Sequence, residues 1–447
     1  MIDNAVIKWK VSLNALHRGA TNRRRSWVKR LGVISVAVAV AAGAVISAPA
    51  NSATKVTTLT VWSTGGDADA LVLAEAGKAY EAANKNVKVK VEAIGWGDGY
   101  AKVLAAAASK SGPDIFTGGL SWGISAGEKG ALADLRSLGL GTYIQPKVPA
   151  QIYKALVGYK SSKVYAVPYD LTLMMMFYDK TTLKDAGVTS APKTIDEFNA
   201  AAAKIKALSG VKNAVYNEWG NGDWLGFFSW LYSSGGSFYD AKCRVTINNA
   251  TGVAALTQYK KLYSDFDAPK PGVADWSMND NIKNGKYGIG FSGNFQASGY
   301  YTYYKDYKNW TAAPVPAAPG KKSVAFIGGR GISIMNYVAA GKKRVAADFI
   351  KSLYDVDVVK AMNVVGAANN AIFLSPVIEL ADTIKSYPAD VLATIKTQLK
   401  DAQGPPNCLG WEDSQNDVTA AITKYLFGST SAKDALDAAA KAMASRQ

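Results

Sequence analysis

The sequence predicts an α/β protein with parallel strands and helices on both sheet faces, and three observations predict it. Short β-branched runs alternate with amphipathic helical stretches, the pattern of a parallel sheet covered by helices. The alternation halts and resumes after Val164-Tyr165-Ala166-Val167-Pro168, giving two runs rather than one. A segment from Thr311 to Lys322, with three prolines, then breaks the pattern as an extended connector. At roughly 100–200 residues per domain, 447 residues predict two or three domains.

Each element has a local reason. Thr57-Thr58-Leu59-Thr60-Val61-Trp62 is a strand that stops at the turn Gly65-Gly66, and Ala68 to Ala83 is an alanine-rich helix with Leu71, Ala74 and Ala79 inward. Val87 to Glu92 alternates valine with charge, a half-buried strand. Tyr100 to Ala108 is helical, Asp114-Ile115-Phe116 is a short strand, and Ser125 to Leu135 is a further helix. In the second run, Met174 to Tyr178 is an apolar strand. Thr194 opens a helix with Glu197 three residues on, a capping box. Val253 to Tyr263 and Val345 to Tyr354 are amphipathic helices, and the chain beyond Val345 is mainly helical.

The N-terminus reads as an address. Arg23, Arg24, Arg25, Lys29 and Arg30 precede the uncharged stretch Val33–Ala48, which ends in Ala48-Pro49-Ala50. A basic region, an apolar region and small residues at the cut make residues 1–50 a cleaved secretory signal. Sixteen residues fall short of the ~20 that a bilayer-spanning helix needs. Arg24-Arg25-Ser26-Trp27-Val28-Lys29 resembles a twin-arginine signal, with a Sec signal as the alternative. No cysteine lies near the cut, so a lipid anchor is not expected, and an exported, periplasmic protein is.

Charge changes meaning once that leader is set aside. The whole chain carries +16, but residues 1–53 hold eight Lys/Arg and one Asp, which leaves 43 basic against 34 acidic residues, or +9. The densest basic run left is Lys342-Lys343-Arg344, a solvated helix face, so no nucleic acid is expected as partner. The single histidine, His17, lies in the leader. Histidine-dependent catalysis is therefore excluded downstream, and no Walker loop, Cys/His cluster or phosphate-loop glycine spacing is present. A carboxylate pair for glycoside hydrolysis remains open among Asp98, Asp114, Asp170 and Asp223, but no spacing singles one out. Cofactor and metal are expected to be absent. Cys243 and Cys408 form either a structural disulfide, as befits export, or two buried thiols.

What the chain has in surplus is tryptophan near turns. Nine follow the leader, and several neighbour Gly, Asn or Asp instead of sitting inside apolar runs. Trp at strand-to-helix loops beside carboxylates suits a sugar. The ring covers the C–H face, and planar polar groups pair with hydroxyls. Core packing is the competing role for each one.

These segments resemble the extracellular solute-binding proteins of ABC importers, in the sugar-binding branch that includes maltose-binding protein. The resemblance runs over about residues 57 to 443 and rests on the order of several segments. They are Ser111-Gly112-Pro113-Asp114-Ile115, Gly130 to Leu135, Val164 to Pro168, Phe177-Tyr178-Asp179-Lys180, Thr194 to Phe198, Asn284 to Gly290, Gly328-Gly329 and the closing helix Ser431–Ala444. It implies a two-lobed periplasmic-binding-protein fold with three interlobe crossings, near Pro168–Leu173, in Ala312–Val324 and near Gly366–Phe373. Residues 51–168 plus 325–366 would form the N-terminal lobe, residues 169–312 plus 373–447 the C-terminal lobe, and 313–324 and 367–372 hinge crossings.

The resemblance also implies a monomer that binds a mono- or oligosaccharide in the cleft, closes by a hinge, and delivers it to an ABC permease at the inner membrane. The ligand contacts it implies are Ser63, Gly66, Asp67, Trp96, Ser121, Trp122, Asp170, Asp223, Trp224, Asn294, Phe295, Gly329, Arg330 and Trp411, with Trp411 foremost as a stacking ring. Thr172 would face the cleft as well. Gly66 stands where maltose-binding protein has an acid, which argues against maltose itself. No enzyme activity is expected. The alternatives are the same fold holding a polyol, sugar acid or polyamine, or a secreted glycosidase.

Overall fold

The computed structural model describes residues 56–218, 223–269, 287–297, 309–371, 373–385 and 387–447. The leader, Trp219, Trp276 and Asn284-Gly285-Lys286 lie outside the described residues. No described helix is long and apolar enough to cross a membrane.

In chain order the strands are β1 (Thr57–Thr64), β2 (Val87–Ile94), β3 (Ile115–Gly119), β4 (Val167–Asp179), β5 (Asn213–Asn217), β6 (Tyr287–Gly293), β7 (Trp310–Ala313) and β8 (Ile327–Ile334). They lie in the order β2-β1-β3-β8-β4-β6-β5, with β7 also on β4. As expected of βα units, β1 pairs in parallel with β2 and β3, and β5 with β6. The sheet is nevertheless mixed. β8 runs antiparallel to both β3 and β4, and β4 antiparallel to β6 and β7, because β4 and β8 carry the chain between the two halves instead of returning over a helix.

The longest strand does two jobs. Val167 to Leu173 of β4 pairs with β8, and Met174 to Tyr178 pairs with β6. Side chains alternate across a strand. Met174 and Met176 therefore enter the core under α7 (Ile195–Lys206), α8 (Trp224–Ser233) and α9 (Ala250–Ser264), with Phe198, Phe228 and Leu256. Met175 and Phe177 enter the opposite core, with Tyr216, Leu374 and Ile395. The unbroken apolar run in the sequence is a strand buried on both faces.

The other half buries Leu59, Val61, Ile115 and Ile334 under α1 (Asp67–Ala83), α10 (Ala340–Ser352) and α11 (Val356–Ala368). The chain passes from one core to the other at three places. In β4 the change falls between Tyr169 and Leu171. In β8 it falls between Ile327 and Ile332, so the return passage is in the strand itself and not in Ala312–Val324; Val315 of the proline-rich stretch and Phe326 after it still pack with Met174 and Met176. After α11 it falls between Phe373 and Leu374, where the Leu171 N–H donates to the Leu374 carbonyl at 2.9 Å.

Three local expectations change. Leu71 is 50% exposed, and α1 turns inward Val72, Leu73, Ala76, Gly77 and Tyr80 in place of Leu71, Ala74 and Ala79. The Val164–Pro168 and Met174–Tyr178 segments belong largely to one strand. The helix expected over Ser125 to Leu135 is the shorter α3 (Trp122–Glu128), because Gly130 at φ +81° turns the chain. Residues beyond it run extended, with Ala133 N–H donating to the Ile334 carbonyl and Leu135 N–H to the Val164 carbonyl. The capping box at α7 is present in both directions: Glu197 N–H to Thr194 Oγ1 at 3.1 Å, and Thr194 N–H to Glu197 Oε2 at 3.2 Å.

Cys243 and Cys408 are bridged, with Cα atoms 5.6 Å apart across 165 residues of sequence. The bridge fastens the loop after α8 to the segment leading into α13 (Trp411–Phe427). A loop of this length corresponds to about 5 kcal/mol in the chain-entropy model. Differential scanning calorimetry with and without reductant tests this: the thiol form is expected to melt several degrees lower. Equal melting temperatures would show that the bridge adds nothing.

Candidate functional site

In open α/β sheets ligands sit outside the carboxyl ends of strands. Here β1 ends in Ser63-Thr64-Gly65-Gly66, β3 in Gly118-Gly119, β5 in Asn217-Glu218 and β6 in Ser292-Gly293. Thr64 locks the first two together: its N–H donates to Thr117 Oγ1 at 2.9 Å and its hydroxyl to the Thr117 carbonyl at 2.5 Å.

Trp122 enters the site because two glycines make room. A Cβ on Gly118 would stand 2.2 Å from the Trp122 ring, and one on Gly119 2.9 Å. The pair that lacks phosphate-loop spacing is a seat for an indole. Trp96, 50% exposed, meets Trp122 edge to face with centroids 5.7 Å apart, and Tyr100 meets it from the other side at 5.5 Å.

Facing this group is the start of α13. Ser121 Oγ donates to Glu412 Oε2 at 2.5 Å, Gln415 Nε2 donates to the same oxygen at 2.9 Å, and the Trp122 side chain is a further hydrogen-bond partner of that carboxyl. Nearby, Lys129 Nζ bonds Asp413 Oδ1 at 3.0 Å. Burial pushes the Glu412 carboxyl up to about 7, and the neighbouring Asp413 charge acts in the same direction against the hydrogen bonds that favour the ionised form.

Several residues expected to touch ligand are committed elsewhere. Asp170 accepts from the Arg330 backbone N–H at 2.7 Å and from its Nε at 2.8 Å, with Nη2 also on Oδ2. Arg330 Nη1 donates to the Thr64 carbonyl at 2.9 Å and to Asp69 Oδ1 at 2.8 Å, and Tyr169 lies under the guanidinium at 5.2 Å. Burial works against the Arg330 charge, but the carboxylates of Asp170 and Asp69 prevail and hold its pKa above the ordinary value. Arg330 and Asp170 are thus a buried clamp, not an open pair for hydroxyls. Gly329 serves it: at φ +112°, a Cβ there would stand 2.3 Å from the Asp170 carbonyl.

Asp223 caps α8, accepting from Leu225 N–H at 3.2 Å, and burial raises its pKa. Asn294 closes a turn on Leu173, accepting its N–H at 2.8 Å and donating from its own N–H to the Leu173 carbonyl at 2.9 Å. Its amide nitrogen donates to Tyr387 at 2.7 Å. Trp411, the foremost candidate, is 1% exposed. Phe238 and Trp224 crowd its ring at 4.8 and 4.9 Å, and Tyr239 lies at 6.1 Å, so its faces are covered by protein. Its indole N–H has no partner among the described residues, and Trp411 borders a small cavity with Ser121, Ser125 and Glu412. Trp224 is half-buried in the same aromatic cluster.

The remaining candidates stay at the strand ends. Ser63 is buried, and its hydroxyl has no partner among the described residues. Gly66 and Asp67 are exposed at the start of α1, and Phe295 is 38% exposed beside Thr172. The sequence reading missed Glu412, Gln415, Asp69 and Glu218; the last is buried and accepts from Ser292 at 3.3 Å and Gln296 at 3.1 Å. The polar run Asn217-Glu218 after a strand was the available signal for Glu218. Glu412 reads in sequence only as an acid in a helix's first turn. Among the described residues no group of three or more metal-ligating side chains occurs.

The model of the bacterial extracellular solute-binding protein family matches residues 63–360, and the chain belongs to that family. The diacetylchitobiose binding protein DasA of Streptomyces coelicolor is 29% identical over 306 residues, 66% of this chain and 68% of that protein. The GacH receptor of Streptomyces glaucescens superposes with a TM-score of 0.71 at 23% identity, over 87% of this chain and 97% of that one. The sugar-binding protein MalE of Xanthomonas citri gives 0.73 at 20% identity, over 87% and 98%. The fold is accordingly the two-lobed one of these proteins, with its cleft between the lobes, and the family binds solutes rather than transforming them.

Two substitutions separate the roles. Trp411→Ala is expected to cost about 3–5 kcal/mol of stability, as for emptying a core aromatic site; urea unfolding that moved by under 1 kcal/mol would return Trp411 to the list of free stacking rings. Arg330→Met is expected to cost about 3–5 kcal/mol by stranding buried Asp170. Much of that loss should return in the Arg330→Met/Asp170→Asn double variant, and losses that simply add would contradict the clamp.

Proposed function

We propose that this protein is exported to the periplasm through its cleavable leader and, as a monomer, binds a neutral carbohydrate in the cleft for an ABC permease at the inner membrane. The lobes follow the three core changes: one built on β1, β2, β3 and most of β8, the other on β5, β6, β7 and the C-terminal half of β4. The observation that carries the carbohydrate reading is the Trp96–Trp122 pair beside hydrogen-bonding Ser121, Gln415 and Glu412, with the exposed ring of Phe295 at the end of β6: ring faces for C–H surfaces and polar groups for hydroxyls.

Charge narrows the class. The two cations at the described cleft are engaged, Arg330 by Asp170 and Asp69, and Lys129 by Asp413. The acids Asp67 and Glu412 have no such cationic partner among the described residues. This favours a neutral solute over a sugar acid. The relative that binds diacetylchitobiose makes that disaccharide the first ligand to try.

A thermal-shift and calorimetry panel of neutral oligosaccharides, ribitol, glucuronate and spermidine tests the assignment. A neutral oligosaccharide is expected to stabilise the protein; a response to glucuronate or spermidine alone would replace it. Trp96→Ala is expected to weaken the best ligand by about 0.5–1.5 kcal/mol, the worth of an aromatic contact, with the melting temperature unchanged. Full affinity in that variant would take Trp96 out of the site.

A further inference from the structure

Glu412 stands at the one place where the start of α13, rooted in the second lobe, meets the start of α3, rooted in the first. Its carboxyl is held by groups of both. Ser121 and Trp122 reach it from the first lobe and Gln415 from its own helix. The titratable groups around it are few: Asp413 beside it on α13, Lys129 beyond α3, which pairs with Asp413, and the Tyr100 phenol, which donates to Ser125 Oγ at 2.8 Å. No cation pairs with Glu412 itself among the described residues. The cavity next to it is bordered by Ser121 and Ser125 as well as by Ile124, Pro406, Cys408, Leu409 and the Trp411 ring.

We propose that Glu412 is a positioning residue that clasps the two lobes over the cleft, and that this clasp is proton-linked. The inference rests on the reading of the cleft as one that opens and closes on a solute.

The linkage follows from which state hides the carboxyl. When the lobes part, Ser121 and Trp122 leave and water solvates Glu412, so it titrates as an ordinary carboxyl near about 4.3. When they meet, burial raises it to about 7. A group with a higher pKa in the closed form favours closure fully below the lower value, and this contribution is lost as pH rises through about 7. Between pH 8.5 and 5.5 the closing equilibrium should therefore shift by more than roughly tenfold toward the closed form. The neighbouring Lys129–Asp413 pair is solvent-exposed and is weakened by salt.

Small-angle scattering of the mature protein without added ligand, from pH 5 to 8.5 in high salt, reads the linkage directly. The wild-type chain is expected to become more compact as pH falls below about 7. Glu412→Gln, a neutral side chain of the same shape, should stay compact at every pH. Ser121→Ala, which removes a hydrogen bond that favours the ionised carboxyl, should disfavour the closed form at pH 8.5 more than at pH 5.5 and so enlarge the change in compactness between them. A wild-type profile flat in pH, or a Glu412→Gln profile that titrates like the wild type, would overturn the proposal. Because no sugar is present, failure of the carbohydrate panel leaves this experiment intact, and failure here leaves the ligand assignment standing.

Discussion

The architecture turns on one buried ion cluster. Arg330 on β8, Asp170 on β4 and Asp69 on α1 meet where the chain passes between the lobes, and all three elements are fixed through a single guanidinium. Its planar fork gives two donors to Asp170 and two more to Thr64 and Asp69, a geometry a lysine cannot reproduce. Burying such a group is costly, and the attraction of two carboxylates only offsets that cost when the hydrogen bonds are made. The cluster is thus better understood as fixing register than as adding net stability. It sets β8 against β4 at the register shift between Pro168 and Asp170, and Gly329 is the residue that lets the two backbones approach there.

From that fixed crossing the two cores can be built almost independently. β4 supplies Val167 and Tyr169 to the first lobe and the methionine run to the second, with alternate residues serving opposite faces. The disulfide and the aromatic cluster of Trp224, Phe238 and Trp411 then set where α13 begins. That helix start carries Glu412 and Gln415 to Ser121 and Trp122. Packing remote from α3 thereby decides which polar groups meet it.

This division explains what could be read from the sequence. The alternation of β-branched runs and helices, the capping box at Thr194 and Glu197, and the order of segments from Ser111 to Gly329 made the two-lobed α/β fold legible, because periodicity and end signals are local. The roles of Arg330, Asp170 and Trp411 were not legible. A tryptophan after a glycine looks the same whether a sugar or Phe238 lies on its face, and only the tertiary fold brings Phe238 to 4.8 Å. An arginine after two glycines likewise looks exposed until Asp69, 261 residues away, comes within 2.8 Å. Loop position drew attention to Trp96 and Trp122, which the fold places edge to face with centroids 5.7 Å apart.

The cluster at the crossing and the carboxyl at the cleft also differ in the kind of control they permit. Arg330 lies between two acids whose charges hold it protonated, so its interactions are constant over any physiological pH. Glu412 has no cation to hold its charge among the described residues, and burial, helped by the neighbouring Asp413, raises its carboxyl to about 7. A two-lobed receptor benefits from that separation. Its crossings must keep one register through many cycles, whereas the contact across the cleft must be weak enough for a solute to decide the outcome, since a ligand shifts an equilibrium only by its differential affinity for the two states. A few hydrogen bonds to one half-buried carboxyl, beside a screened surface ion pair, are of that modest size.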